Sequence, residues 1–171
     1  MKRVFLSIFF LMAALTAFSQ RFAYVDTKYV LNNIPAYKAA QEKLNQLSYE
    51  WEQELEAKQE KIDELEQEFQ NEKVLLTDKM KEKRQEEIKQ KKKELNDLKN
   101  KYFGPEGELY NKRQELVKPI QEEVYSTIQK IADDGNYAVI FDASDKSNIL
   151  YTDPKYDKSD EVLKELGYKK Y

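Results

Sequence analysis

The amino-acid sequence predicts an α+β fold that is mostly α: a long antiparallel helical hairpin, or coiled-coil arm, on a small β-body formed with other copies of the chain. Three observations predict this class. A helical heptad pattern runs through residues 35–134, strand-like runs lie on both sides of it, and the sequence contains no cysteine or histidine. The predicted order is a signal peptide at 1–19, a first strand and short helix at 20–34, the arm at 35–134, and the remaining body strands and C-terminal helix at 135–171.

The N-terminus has the pattern of a secretory signal peptide. Lys2 and Arg3 precede the apolar run 4–14, and Ala17 and Ser19 supply the small residues expected before a cleavage site. The apolar run is too short to span a bilayer comfortably, so a membrane anchor is the weaker interpretation. We therefore expect a soluble, exported chain that begins after Ser19, with no cysteine there for lipid attachment.

Composition excludes several kinds of site. Without cysteine the chain can form no disulfide, and without histidine it lacks the residues of an ordinary zinc site or of a Ser-His or Cys-His catalytic pair. No glycine-rich phosphate loop is present. The formal net charge of −3 also argues against a general nucleic-acid binder. We expect no cofactor, no metal and no enzymatic activity.

The first strand is predicted over residues 21–26, with Phe22 and Tyr24 on one face and Ala23 and Val25 on the other. Asp26 or Thr27 can then cap a short helix. Pro35 is placed to begin the arm, because proline at the first helical position costs no hydrogen bond.

Two apolar stripes predict the arm and the place where it reverses. The outgoing stripe contains Leu44, Leu47, Trp51, Leu55, Ile62, Leu65, Phe69 and Leu76, and the returning stripe contains Met80, Ile88, Leu95, Leu98, Tyr102, Leu109, Leu116, Ile120, Val124, Ile128 and Ile131. Polar residues interrupt these stripes at Lys58, Glu72, Arg84 and Lys91. A tip near 75–79 gives halves of matched length, each about 60 Å long, whereas a turn at Gly104-Pro105 does not. Gly104, Pro105 and Pro119 are therefore interpreted as kinks.

Charge favours the same reversal. Residues 36–76 carry eleven acidic against five basic side chains, and residues 77–101 carry ten basic against six acidic side chains. An acidic segment folded against a basic one favours a hairpin, although each exposed pair contributes only about 0.2–1 kcal/mol. The alternative is that these are the solvated faces of one straight helix.

The C-terminal part is predicted to complete the body. Gly135 is expected to end the arm. Residues 137–142 are predicted to form a strand, and its continuous apolar character indicates burial on both faces. A turn at 143–148 then leads to a predicted third strand at 149–151, which forms a hairpin next to the first strand. Ser159 is expected to cap a last helix over residues 160–166, and Gly167 is expected to end it. The apolar side chains of this helix, Val162, Leu163 and Leu166, are expected to cover the sheet. A calcium loop at Asp142 and Asp145 is the weaker interpretation, since the required glycine and glutamate are missing. So small a core favours sharing the sheet among copies.

This order of segments resembles the Skp/OmpH family of periplasmic chaperones for outer-membrane proteins. The residues that carry the resemblance are Ala23-Tyr24-Val25-Asp26, the run 103–109 (FGPEGEL), Val139-Ile140-Phe141-Asp142, and 150–154 (LYTDP) leading to 159–163 (SDEVL). Together they cover essentially the whole mature chain.

The resemblance implies a homotrimer with a β-barrel body and three projecting arms around a cavity, and an ATP-independent holdase for unfolded outer-membrane proteins, which we call clients. It would place Phe22, Tyr24, Val25, Val139, Ile140 and Phe141 in the trimer body. The apolar cluster at the tip, Val74, Leu75, Leu76 and Met80, either closes the hairpin or contacts the client. If charge contributes, the basic arm face of Lys79, Lys83, Lys91 and Lys92 is the candidate; membrane or lipopolysaccharide contact has no further support in the residues. The alternative function is a structural coiled-coil scaffold of the cell envelope.

Overall fold

The structure, a computed structural model, describes residues 21–145 and 149–168. The predicted signal peptide therefore lies outside the described residues, as do the second half of the predicted 143–148 turn, residues 146–148, and the last three residues. The elements in chain order are β1 (Arg21–Val25), α1 (Thr27–Asn32), α2 (Pro35–Glu72), α3 (Asp78–Phe103), α4 (Glu108–Leu116), α5 (Lys118–Gly135), β2 (Tyr137–Asp142), a 3-10 turn (Pro154–Tyr156) and α6 (Ser159–Glu165). Two compact units result: an arm unit at 31–123, and a body unit that combines the residues up to Val30 with those from Val124 onward.

In the arm unit, α2 and α3 form an antiparallel hairpin. Contacts across it join Glu54 to Tyr102, Glu66 to Lys92 and Glu72 to Arg84, so residue numbers rise on one helix as they fall on the other. The reversal occupies residues 73–77. Thr77 caps α3 by accepting a hydrogen bond from the Met80 backbone N–H, which satisfies one of the unpaired donors of the first turn.

The apolar stripes pack along the seam of this hairpin. Ile62, Phe69 and Ile88 are buried in it. At the other end of the arm unit a second cluster comprises the buried residues Ala40, Leu44 and Val117 and the half-buried Tyr37, Leu109, Leu116 and Ile120. The narrow stripes seen in the sequence thus become the core of the arm.

The returning half is interrupted more strongly than the predicted kinks suggest. The helix stops at Phe103 and restarts at Glu108, with a four-residue turn between them. Gly107 is required there, because a Cβ atom at this position would lie 2.8 Å from the carbonyl oxygens of Lys101 and Tyr102. A second break at Val117 separates α4 from α5, so that Pro119 falls in the first turn of α5, where its missing N–H costs nothing.

In the body unit, β1 and β2 form a two-stranded parallel sheet that pairs Phe22 with Val139 and Tyr24 with Phe141. The predicted alternation of β1 is confirmed, because Ala23 and Val25 are buried while Phe22 is 45% exposed. Asp26 caps α1 as predicted, its carboxylate accepting from the Tyr29 backbone N–H at 2.8 Å. Val162 and Leu163 of α6 are also buried.

The predicted third strand is wrong. Residues 149–151 are not paired with any described strand, and Leu150 and Tyr151 are almost fully exposed. Their apolar character favours a half-buried surface, but in the described part of the chain Leu150 and Tyr151 are not packed against one. Beside β1 there is instead an isolated parallel bridge from Tyr24 to Asp157 and a hydrogen bond from the Lys158 N–H to the Tyr24 carbonyl.

The predicted burial of β2 on both faces is also wrong for the single chain. Val139 is 42% and Phe141 is 50% exposed. A parallel strand of this apolar character is normally covered on both faces, so its exposure leaves an apolar surface that no described residue of the chain covers.

Two helix ends differ from the predictions in detail. Gly135 is the last residue of α5, and Asn136 rather than the glycine has the left-handed conformation, with φ of 50°. Ser159 does not cap α6 with its own side chain. The Asp157 carboxylate accepts from the Ser159 backbone N–H, while the buried Ser159 hydroxyl donates to Asp157 and accepts from the Asp26 N–H. Gly167 closes α6 at φ of 84°, as predicted.

Candidate interaction surfaces

The tip of the arm exposes apolar side chains. Val74 is 91%, Leu75 85% and Met80 52% exposed, whereas Leu76 is half-buried. Val74 and Leu75 lie in the turn between α2 and α3, where neither helix can cover them. Of these three consecutive residues, Leu76 is therefore the one that packs into the hairpin. Val74 and Leu75 form a small apolar surface that is exposed to water.

The four lysines of the basic arm face have different surroundings. Lys79 and Lys83 are exposed and lie one turn apart on α3. Lys91 pairs with Glu94 of the same helix at 3.0 Å, and Lys92 pairs with Glu66 of α2 at 2.7 Å. Lys91 and Lys92 are thus largely neutralised by carboxylates, so the four residues do not form one continuous cationic surface.

The charged gaps in the apolar stripes lie opposite one another. Arg84 and Glu72, which interrupt the two stripes, approach across the hairpin at 4.0 Å. The other two gap residues, Lys58 and Lys91, line a single groove between α2 and α3. Polar residues in a coiled-coil seam fix its register, and the Arg84–Glu72 pair therefore helps to specify how the two helices align.

An aromatic layer adjoins that groove. Trp51, the only tryptophan in the sequence, stacks on Tyr102 with ring centroids 4.8 Å apart and planes 6° from parallel. Phe103 packs edge-on against both rings. The Tyr102 hydroxyl donates to the Glu54 carboxylate at 2.7 Å, and this hydrogen bond raises the Tyr102 pKa.

In the body, the residues predicted for a trimer lie on the two paired strands. Val25 is buried, Tyr24 and Ile140 are half-buried, and Phe22, Val139 and Phe141 are exposed. Phe22 and Val139 are direct neighbours in the register, so the exposed side chains of the two strands lie together. These three form what we call the strand patch.

A cavity of about 1200 Å³ lies beside the strands of the body unit. Its lining includes Phe22, Phe141 and four tyrosines, at positions 24, 137, 151 and 156. The Tyr137 ring carries two cations, with the Arg21 guanidinium 4.7 Å and the Lys158 ammonium 5.6 Å from its centroid. Arg21 is held there because it also donates to the Gly135 carbonyl at 2.7 Å.

The end of β2 is tied to the start of α1 by a carboxylate. The Asp142 carboxylate accepts from the Thr27 hydroxyl at 2.8 Å, from the Thr27 N–H at 3.3 Å and from the Ser144 N–H at 2.9 Å. Burial raises the pKa of Asp142, but these hydrogen bonds together hold the pKa below its ordinary value. Asp142 is thus a structural residue, and the described residues contain no cluster of three or more potential metal ligands.

Several exposed aromatic residues were missed by the sequence predictions. Tyr49 and Tyr110 of the arm unit are 63% and 48% exposed, and Tyr125 of the body unit is 58% exposed. Tyr49 could have been noticed because it lies outside the heptad stripe of α2. The arrangement of Arg21 and Tyr137 had no local signal, since the two residues are 116 positions apart.

The chain is similar to known proteins in sequence and in fold. The sequence profile of the family described as outer membrane protein (OmpH-like) matches residues 21–166. Among solved structures, that of a candidate outer membrane chaperone (OmpH-like) from Caulobacter crescentus CB15 is similar, with a TM-score of 0.65 and 14% sequence identity over 86% of this chain and 83% of that chain. At this identity the likeness is one of fold. Among curated proteins, none matches the sequence.

The profile match extends from β1 through the arm to α6, and the structural likeness covers 86% of the chain. The family resemblance inferred from the sequence and the mostly helical α+β fold class are therefore confirmed. No helix among residues 21–145 and 149–168 is long and apolar enough to cross a membrane. The chain belongs to the OmpH-like family.

Proposed function

We propose that this protein is an ATP-independent holdase of the periplasm that binds unfolded outer-membrane β-barrel proteins between its helical arms and prevents their aggregation before membrane insertion. The observation that carries the proposal is membership of the OmpH-like family over both the body and the arm, which supports a chaperone role. The function then resides in surfaces and needs no chemical reaction.

The proposed active form is a homotrimer. The strand patch supports association, because Phe22, Val139 and Phe141 are each exposed by two-fifths or more on a sheet of only two strands. Two-stranded sheets have little independent stability, and burying one such side chain contributes about 1.5–3 kcal/mol. Covering the patch with the same patch of other copies would remove the exposed apolar surface from water.

The proposed client contacts are weak and numerous. Val74, Leu75, Leu76 and Met80 at the tip would each contribute a small apolar contact, and the missed residues Tyr49 and Tyr110 extend such contacts along the arm. Three arms multiply these contacts without any one of them being strong, which suits a chain that must later be released.

Charge has a smaller proposed role. Because Lys91 and Lys92 are paired with glutamates, the basic contribution to client binding would come mainly from Lys79 and Lys83. Replacing both of these by glutamate should weaken client binding at low salt and change it little at high salt, where exposed charges are screened.

The test is a dilution experiment. A urea-unfolded outer-membrane β-barrel is diluted into buffer with or without the mature protein, and turbidity and light-scattering mass are followed. We expect suppressed aggregation and a complex of one client with one trimer, without ATP. If the protein ignores the unfolded barrel but binds a folded envelope protein, the structural-scaffold function is correct instead.

A further inference from the structure

The hairpin of the arm is incompletely packed in one place. A groove of about 440 Å³ lies between α2 and α3, and its apolar surface comes from Ile62, Leu65, Leu95 and Leu98. Ile62 is buried at its base, while the three leucines are each partly exposed. Apolar surface that a coiled coil would normally cover with its own side chains is therefore accessible here.

The groove is open because lysines stand where apolar residues would continue the stripes. Lys58 and Lys91 both line it, and their described ion pairs do not cross the seam. Lys58 pairs with Glu54 at 3.9 Å and Lys91 with Glu94 at 3.0 Å, each within its own helix. The Lys91 hydrogen bond is also the largest cause of the lowered pKa of Glu94. These pairs hold the lysine ends along the helices and leave the space between them unfilled.

Seven residues before Lys58, aromatic side chains fill the seam between α2 and α3. Trp51 and Tyr102 stack there, with Phe103 against them, and the Lys101 ammonium lies 5.7 Å from the Tyr102 centroid. The same hairpin thus already accommodates flat aromatic side chains beside a cation. The groove offers similar walls and similar cations without a ring of its own.

We propose that this groove is a docking site for an aromatic side chain of an extended client segment. The inference rests on the proposed chaperone function and adds to it a specific subsite on the arm. The groove is large enough, since a cavity of about 150 Å³ lined by apolar side chains already holds benzene. The leucines would contact the ring faces and edges, and the ammonium groups of Lys58 and Lys91 would complement the negative face of the ring.

The chemistry of the groove favours an aromatic ring over other occupants. Each of its three lysines is paired with a carboxylate, Lys58 with Glu54, Lys61 with Glu64 and Lys91 with Glu94, so the lining suits an uncharged ring better than a charged side chain. Its apolar base would leave the polar groups of a hydrophilic side chain without hydrogen-bond partners. Clients with alternating aromatic residues would then engage the groove through one ring at a time.

The test uses a soluble peptide of about ten residues with phenylalanine at alternating positions, and a matched peptide with alanine in their place. Binding is followed by NMR of the leucine methyl groups. We expect the phenylalanine peptide to shift the methyl signals of Leu65, Leu95 and Leu98, and the alanine peptide to bind about tenfold more weakly.

The double variant Lys58→Leu and Lys91→Leu fills the groove from within. We expect it to raise the thermal midpoint of the arm and to weaken phenylalanine-peptide binding about tenfold. The matched control, Lys43→Leu with Lys93→Leu, makes the same change in charge at exposed positions outside the groove. The control variant should bind the phenylalanine peptide with an affinity within about twofold of the wild-type value.

The proposal is overturned if the double variant gains stability but binds the peptide as the wild type does, or if the peptide shifts methyl signals only elsewhere. These results differ from a failure of the chaperone function. If the protein suppresses barrel aggregation but the peptide shifts no methyl signals, the holdase function is supported and the docking site in the groove is rejected. If the peptide shifts the methyl signals but the protein does not suppress aggregation, the docking site is supported and the holdase function is rejected.

Discussion

The arm and the body differ in where their apolar residues find partners. In the arm, Ile62, Phe69 and Ile88 are buried between the two halves of one hairpin. In the body, Phe22, Val139 and Phe141 remain about half exposed. A helical stripe can be covered by the next segment of the same chain, whereas in the described part of the chain the outer residues of this two-stranded sheet have no second layer over them. Most of the apolar stripe of the arm is therefore covered within one chain, and we propose that other copies cover the strand patch of the body.

The largest effect is expected from breaking the strand patch. Replacing Val139 and Phe141 by aspartate should reduce the light-scattering mass from three chains to one, because burying unpaired carboxylates costs several kcal/mol each. The helical circular dichroism should be retained, since the arm uses other contacts. Aspartate at Tyr49, which is exposed on α2, is the control and should leave the mass unchanged. A variant that keeps the mass of three chains would show that the strand patch is not the assembly surface.

A smaller effect, confined to the arm, is expected from Leu44→Ala. Leu44 is 2% exposed and packs with Ala40 and Val117, so truncation should lower the free energy of unfolding by about 2–5 kcal/mol. Urea unfolding, followed by the fluorescence of Trp51, measures this. The matched variant Leu75→Ala, at an 85% exposed leucine, should change stability by less than about 0.5 kcal/mol. Equal losses in the two variants would contradict the packing of the arm.

Acid should weaken the body through Asp142. Its pKa is lower in the folded than in the unfolded chain, so its stabilising contribution is complete above the ordinary aspartate value and is lost as the pH falls below about 4. Hydrogen exchange of the β2 amides between pH 3 and 6 should show this loss. Asp142→Asn should make hydrogen exchange of the β2 amides less dependent on pH, whereas Asp97→Asn on α3 should not change this pH dependence. An unchanged pH dependence in Asp142→Asn would remove this role.

The smallest effect is expected at the charged gap of the seam. Arg84→Glu should lower arm stability by about 0.2–1 kcal/mol for each pair it breaks, because the residue would then repel Glu72 across the hairpin and Glu87 on its own helix. Adding Glu72→Arg should restore the part of the loss that comes from the hairpin pair. A double-mutant cycle on urea midpoints isolates the pair, and additive losses would show that the two residues do not interact.

The sequence predicted the arm better than the body for a physical reason. Heptad spacing, Pro35 and the polar gaps are local signals, and the start of α2 and the reversal near 75–79 follow from them, whereas the breaks after Phe103 and at Val117 were predicted only as kinks. Whether residues 149–151 pair as a strand, and whether β2 is buried, depends on what packs against them. The strand preference of a residue does not specify that packing partner. Likewise the apolar tip could be read from the turn at Val74 and Leu75. The groove at Lys58 and Lys91 could not, because it depends on which way two lysine side chains point.

The most direct test of the account is the mass of the wild-type mature chain by light scattering, measured together with hydrogen exchange of its strand amides. We expect a mass of three chains and slow exchange in both β1 and β2. Dilution that separates the copies should accelerate exchange in the strands before it does so around Ile62 and Ile88. A single chain in solution with fully protected strands would contradict the account, because the body would then be complete without other copies.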